Sequence, residues 1–84
     1  MKFFYITFRS VTFAQRGEKV LEKEDVRCTM LRTPKWMESK GCGYCLRLWT
    51  KDASQGVDLL RRNGVAFGKV YRQASDGQLE EVEL

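Results

Sequence analysis

Phe3-Phe4-Tyr5-Ile6-Thr7-Phe8-Arg9 alternates without a break. Phe4, Ile6 and Phe8 fall on one face and Tyr5, Thr7 and Arg9 on the other, the period of two expected of a half-buried strand. Ser10-Val11-Thr12 ends the alternation, and Thr12 with Gln15 three residues on forms a capping box for a helix running to about Lys23. The apolar stripe of that helix is Phe13, Ala14, Gly17, Val20 and Leu21. A glycine inside a helix costs about 1 kcal/mol against alanine, so Gly17 on the apolar face predicts close approach of helix to sheet.

Working outward, Val26 to Leu31 alternates again, with Val26, Cys28 and Met30 inward, until Thr33-Pro34 stops it. The polar stretch from Lys35 to Gly41 leads through Cys42-Gly43 to a third strand, Tyr44 to Trp49. Its parity sets Tyr44, Leu46 and Leu48 against Cys45, Arg47 and Trp49. Asp52 with Gln55 is a second capping box, for a helix that buries Ala53, Val57 and Leu60 and stops at Asn63-Gly64. Ala66 to Arg72 is a fourth strand. Asp76-Gly77 is the strongest hairpin signal in the chain, and Gln78 to Leu84 is either a fifth edge strand or a frayed tail. The order strand, helix, strand, strand, helix, strand predicts an α+β, ferredoxin-like βαββαβ sandwich. Its antiparallel sheet would have order 4-1-3-2, with both helices on one face. Residues 1–72 would form one domain and 73–84 an acidic hairpin strand or tail.

The 84 residues allow a single small core, and 43% hydrophobic with 31% charged residues is a globular composition. No histidine is present, which removes Cys–His and Ser–His catalytic pairs. No apolar run is long enough to span a membrane and no cleavable apolar signal opens the chain, so a cytoplasmic protein is expected. Fifteen basic and eleven acidic residues give +4. Four of the acids, Asp76, Glu80, Glu81 and Glu83, follow Arg72, after which there is no base, so the body carries 15 − 7 = +8. That field suits an acidic protein partner or another anion. The basic residues are dispersed, with no dense run and no aromatic RNA-binding signature, which argues against a dedicated nucleic-acid binder.

Chemistry concentrates on three cysteines, Cys28, Cys42 and Cys45, an odd count that suits reduced thiols better than a disulfide framework. In the expected topology the third strand begins beside the start of the first helix, which brings Cys42 to that helix N-terminus. Free amides and the positive end of the helix dipole at Val11 to Phe13, with Ser10 and Thr12 in support, would stabilise a thiolate there, and Lys35, Lys40 and Arg9 would add to it. Gly41 and Gly43 would let a bulky partner approach. The bland alternative is a small buried cysteine in a hairpin connection. Cys45 lies three residues on, close enough for a disulfide or a relayed persulfide if the loop curls, though an extended strand keeps the two sulfurs apart. Zinc is disfavoured, because three thiolates fall short of four ligands. Cys28 reads as core packing. Trp36 and Met37 are apolar residues in a polar loop, suited to docking or to packing at the core edge. Arg32 and Arg47 are anion holders or solvated side chains.

Taken with those thiols, several stretches resemble the Se/S carrier protein-like family of small bacterial proteins. They are Tyr5-Ile6-Thr7-Phe8 with Ser10 and Thr12-Phe13-Ala14; Thr33-Pro34-Lys35; Cys42-Gly43-Tyr44-Cys45-Leu46-Arg47; and Asn63-Gly64-Val65 with Tyr71-Arg72. Trp36-Met37 and the acidic tail depart from the family pattern. The resemblance implies a carrier whose sulfur- or selenium-bearing cysteine is Cys42, loaded by a donor such as a cysteine desulfurase and emptied by an acceptor protein. Such a carrier needs neither a cofactor nor a metal. Two other readings stay open: a thiol–disulfide redox protein using Cys42 and Cys45, and a small interaction or regulatory module with incidental thiols, in either case free to form a homodimer.

Overall fold

A computed structural model describes residues 3–33, 43–74 and 76–83. The elements are β1 (Phe3–Phe8), α1 (Val11–Lys23), β2 (Cys28–Arg32), β3 (Tyr44–Trp49), a 3-10 turn (Thr50–Asp52), α2 (Ala53–Arg62), β4 (Val70–Gln73) and β5 (Leu79–Val82). They build a small α+β architecture of two helices and one five-stranded antiparallel sheet, ordered β2-β3-β1-β4-β5. The five-stranded order differs from the expected 4-1-3-2 by the C-terminal edge strand that the sequence leaves open against a frayed tail. The neighbours β4, β1, β3 and β2 are kept, and β5 extends the sheet outside β4.

The extra strand has a local cause. Gly77 takes φ +88°, the Asp76 carboxylate accepts the Gln78 N–H at 3.0 Å, and the Ala74 N–H donates to the Gln78 carbonyl at 2.7 Å. The turn therefore closes on itself and sends residues 79–82 back along β4. Arg72 meets Glu80 directly across the pair at 2.8 Å, and Lys69 meets Glu81 at 3.6 Å.

The core lies between the sheet and the helices. Phe4, Ile6 and Phe8 of β1 and Leu46 and Leu48 of β3 face Ala14 and Leu21 of α1 and Val57 and Leu60 of α2. A Cβ built on Gly17 would come within 3.0 Å of Phe8, 3.2 Å of Leu46 and 3.2 Å of Leu60. The glycine is thus the point where α1 touches down, as its place on the apolar stripe predicts.

Three local expectations change. The cap of α1 is Ser10, not Thr12: Ser10 is extended (φ −145°, ψ 160°) and its hydroxyl accepts the Phe13 N–H at 3.3 Å. Asp52 stands at the α2 cap but makes no side-chain cap bond, because the 3-10 turn before the helix has already given its backbone a helical conformation. β4 starts at Val70 rather than Ala66. The Thr7 hydroxyl takes the Lys69 N–H at 2.8 Å, and the backbone at Gly68 comes so near that a Cβ there would lie 2.7 Å from that hydroxyl. Backbone bonds join the strands here as well, Thr7 N–H to the Lys69 carbonyl at 2.9 Å and Gly68 N–H to the Thr7 carbonyl at 2.7 Å, so residues 68 and 69 together oppose Thr7 and the regular ladder starts at Val70.

Both helices end in Schellman turns. Val65 N–H donates to Leu60 and Gly64 N–H to Arg61 after α2, with Gly64 at φ +67°; Val26 donates to Leu21 and Asp25 to Glu22 after α1. The left-handed position of the second turn holds Asp25, at φ +60°, where glycine is the usual residue. Asp25→Gly should raise unfolding stability by roughly 0.5–1 kcal/mol, measured by urea denaturation. Gly17→Val should lower it by about 1–3 kcal/mol in the same experiment, because three core side chains have to move.

Candidate functional site

The end of the sheet where β1 finishes and β3 begins gathers most of the described residues to which the sequence assigns chemistry. Phe8 pairs with Tyr44, so Gly43 sits at the edge from which the chain climbs through Arg9 and Ser10 into α1. The first turn of α1 carries no acidic residue, leaving the positive end of the helix without a carboxylate of its own. Ser10 spends its hydroxyl on the Phe13 amide; Thr12 is exposed. On the other flank the Thr33 N–H donates to the Gly43 carbonyl and ties the two stems of the β2–β3 connection together. Arg32 and Tyr44 pair across the strands, the guanidinium donating to the phenol oxygen at 3.3 Å.

Ser10, Thr12 and Gly43 are therefore brought to one end of the molecule. Cys42, Gly41, Lys35 and Lys40, together with Trp36 and Met37, lie outside the described residues. Cys45 lies one step into β3, opposite Thr7 on one side and Leu31 on the other, and it is fully buried even though it points to the sheet face away from α1 and α2. Burial pushes its thiol above the ordinary range; the nearby Thr33 hydroxyl opposes the rise, and Arg47 opposes it more weakly. Thr33 is itself buried, and its hydroxyl makes no hydrogen bond of good geometry. Cys45 is thus kept as a neutral thiol with a polar group beside it. Thr33 is a site residue that sequence reasoning misses, since a threonine before a proline reads as a strand stop.

Cys28 behaves differently from a sealed core residue. It is half-buried on the inward face of β2, packed against the core, and its pKa is pushed to about 11 by burial first and then by Glu18 and Glu22 of α1. Arg32 and Arg47 do not converge on one anion: Arg32 engages Tyr44, whereas the Arg47 guanidinium lies 4.4 Å from the Phe3 ring centroid. Among the described residues, no group of three or more His, Cys, Asp or Glu side chains could hold a metal ion, and no helix is long and apolar enough to cross a membrane.

A protein-family model described as "Putative Se/S carrier protein-like" matches residues 3–72. No curated protein and no solved structure matches the chain.

The two described thiols make a pH-dependent prediction. A free thiol of ordinary pKa 9.0 ionises before folded Cys28 at about 11, so unfolded chain releases its proton first and stability falls as pH rises from 9 to 11. Denaturation of wild type against Cys28→Ala across that interval should reveal a shallower alkaline loss in the variant. Iodoacetamide at pH 8 should leave Cys28 and Cys45 unmodified in the folded protein and label both after unfolding, as read by peptide mass spectrometry.

Proposed function

The chain belongs to the Se/S carrier protein-like family, and from that premise we propose that it carries sulfur or selenium on Cys42 between a donor protein and an acceptor protein. The observation that supports this reading best is the pairing of Phe8 with Tyr44. It sets Gly43, the residue after Cys42, at the sheet end from which an acid-free helix N-terminus rises. A thiolate at that end gains from the helix dipole without competition from a carboxylate in the first turn.

The chemistry is a pair of displacements at sulfur. The Cys42 thiolate attacks the terminal sulfur of a persulfide on the donor, a cysteine desulfurase for example, forming Cys42–S–SH and releasing the donor thiolate. An acceptor nucleophile then attacks that terminal atom, and the Cys42 thiolate leaves. Selenium follows the same course through Cys42–S–SeH. Lys35, Lys40, Gly41 and Gly43 belong to this reading as the loop that admits the partner, and Ser10 and Thr12 as the helix start that favours the anion. The positive body attracts acidic surfaces on such partners. The protein would work in the cytoplasm as one ferredoxin-like domain over 1–72, with β5 as an added edge strand.

Cys45 is the natural second thiol for protecting or resolving the persulfide, and it would have to leave its buried position to do so. For that reason a thiol–disulfide role for Cys42 and Cys45 receives less support from the geometry than transfer by Cys42 alone. Incubation with a cysteine desulfurase and cysteine or selenocysteine should add one sulfur or selenium to the wild type and to Cys45→Ala, and none to Cys42→Ser. Equal labelling of Cys42→Ser would overturn the assignment.

A further inference from the structure

Side chains far apart in sequence meet on the sheet face opposite α1 and α2. The strand registers set Trp49 opposite Phe3, Arg47 opposite Tyr5, and Tyr5 opposite Tyr71, so β3, β1 and β4 each contribute to one aromatic patch. All five side chains are half-buried. Phe3 lies between two neighbours: the Trp49 ring at 4.4 Å between centroids and the Arg47 guanidinium at 4.4 Å from its own centroid. Arg47 forms no ion pair among the described residues, and its buried Nε has no hydrogen-bond partner. At the β2 edge the patch opens into a cleft of about 860 Å³, where Phe3, Arg27, Arg47 and Trp49 face Glu22 and Asp25 from the α1 side.

We propose that this face binds single-stranded nucleic acid, with bases stacked on Tyr5 and Tyr71 beside the Phe3–Trp49 pair and a phosphate on Arg47. Unpaired bases stack on aromatic rings whatever their sequence, and a sheet surface presents such rings at the spacing of neighbouring strands. Charge selects this occupant over a second copy of the chain. A polyanion is drawn to a chain of net charge +4 and supplies a counter-charge to Arg47, which forms no ion pair among the described residues, whereas two copies of the same positive chain repel each other. A base duplex is excluded by the same reasoning, because its rings are already stacked. Dispersal explains why no linear motif announces the patch: its rings come from positions 3, 5, 49 and 71.

The test titrates the full chain with a short oligouridylate at low salt, following tyrosine and tryptophan fluorescence. Saturable quenching is expected, weakened about ten-fold by Tyr5→Leu or Tyr71→Leu. Arg47→Met should weaken binding and reduce the salt dependence by about one counterion. Arg16→Met removes the same charge from exposed helix surface and should change little. Circular dichroism confirms folding of each variant, and if Tyr71→Leu unfolds, Tyr5→Leu decides. Cys42→Ser should bind normally, which separates this face from the carrier thiol. Absence of binding at low salt, equal affinity for duplex RNA, or equal weakening by Arg16→Met would overturn the proposal. So would a concentration-dependent dimer in sedimentation that Tyr5→Leu abolishes, since that result would give the face to a second copy.

Discussion

The double pairing of β1 is the constraint on which the rest of the molecule depends. It is hydrogen-bonded to β3 on one side and β4 on the other, and six residues supply both faces of the sheet at its centre. Phe4, Ile6 and Phe8 form the floor on which the helices rest; Phe3, Tyr5 and Thr7 form the middle of the opposite face. Because side chains alternate, a slip of one residue in either pairing would exchange these sets, turning the core floor outward and burying tyrosine and threonine beneath helices. The landing of α1 at Gly17, the position of Gly43 and the aromatic patch all assume that one register.

Much of this fold is legible in the chain because alternation and helical spacing are local signals. β1 and β3 fall where the alternation puts them, and Asn63-Gly64 ends α2 through the Schellman turn that this pair favours. What is not legible depends on groups that meet only in three dimensions. Thr12-x-x-Gln15 matches a capping box, yet Ser10 caps α1, because β1 ends two residues earlier and leaves Ser10 extended. The start of β4 is set by Thr7, whose backbone and hydroxyl together bond Gly68 and Lys69, the latter sixty-two positions away. The choice between strand and tail after Asp76-Gly77 is decided by pairing with β4 and by the charges of Arg72 and Lys69.

The site follows the same division. Topology alone predicts that the start of β3 lies beside the start of α1, and the Phe8–Tyr44 pair agrees. The parity of β3 correctly sends Cys45 to the face opposite Leu46, but parity cannot reveal that a residue on that face is completely enclosed, with Thr33 beside it. Nor does a lone arginine in a strand disclose that it will lie over Phe3. Each of these depends on neighbours contributed by a different strand.

The ion pairs between β4 and β5 also shape the field around the molecule. Glu80, Glu81 and Glu83 lie at one edge of the sheet or just beyond it, while Arg27 and Arg32 flank the strand at the other, roughly 19 Å away for five strands at their usual spacing. A chain of modest net charge therefore carries a dipole moment across its width. An anionic surface approaching by diffusion experiences a torque as well as an attraction, because the carboxylates of β5 turn that edge away from it. Encounter geometry is biased before any contact forms, and added salt erodes the bias over the Debye length.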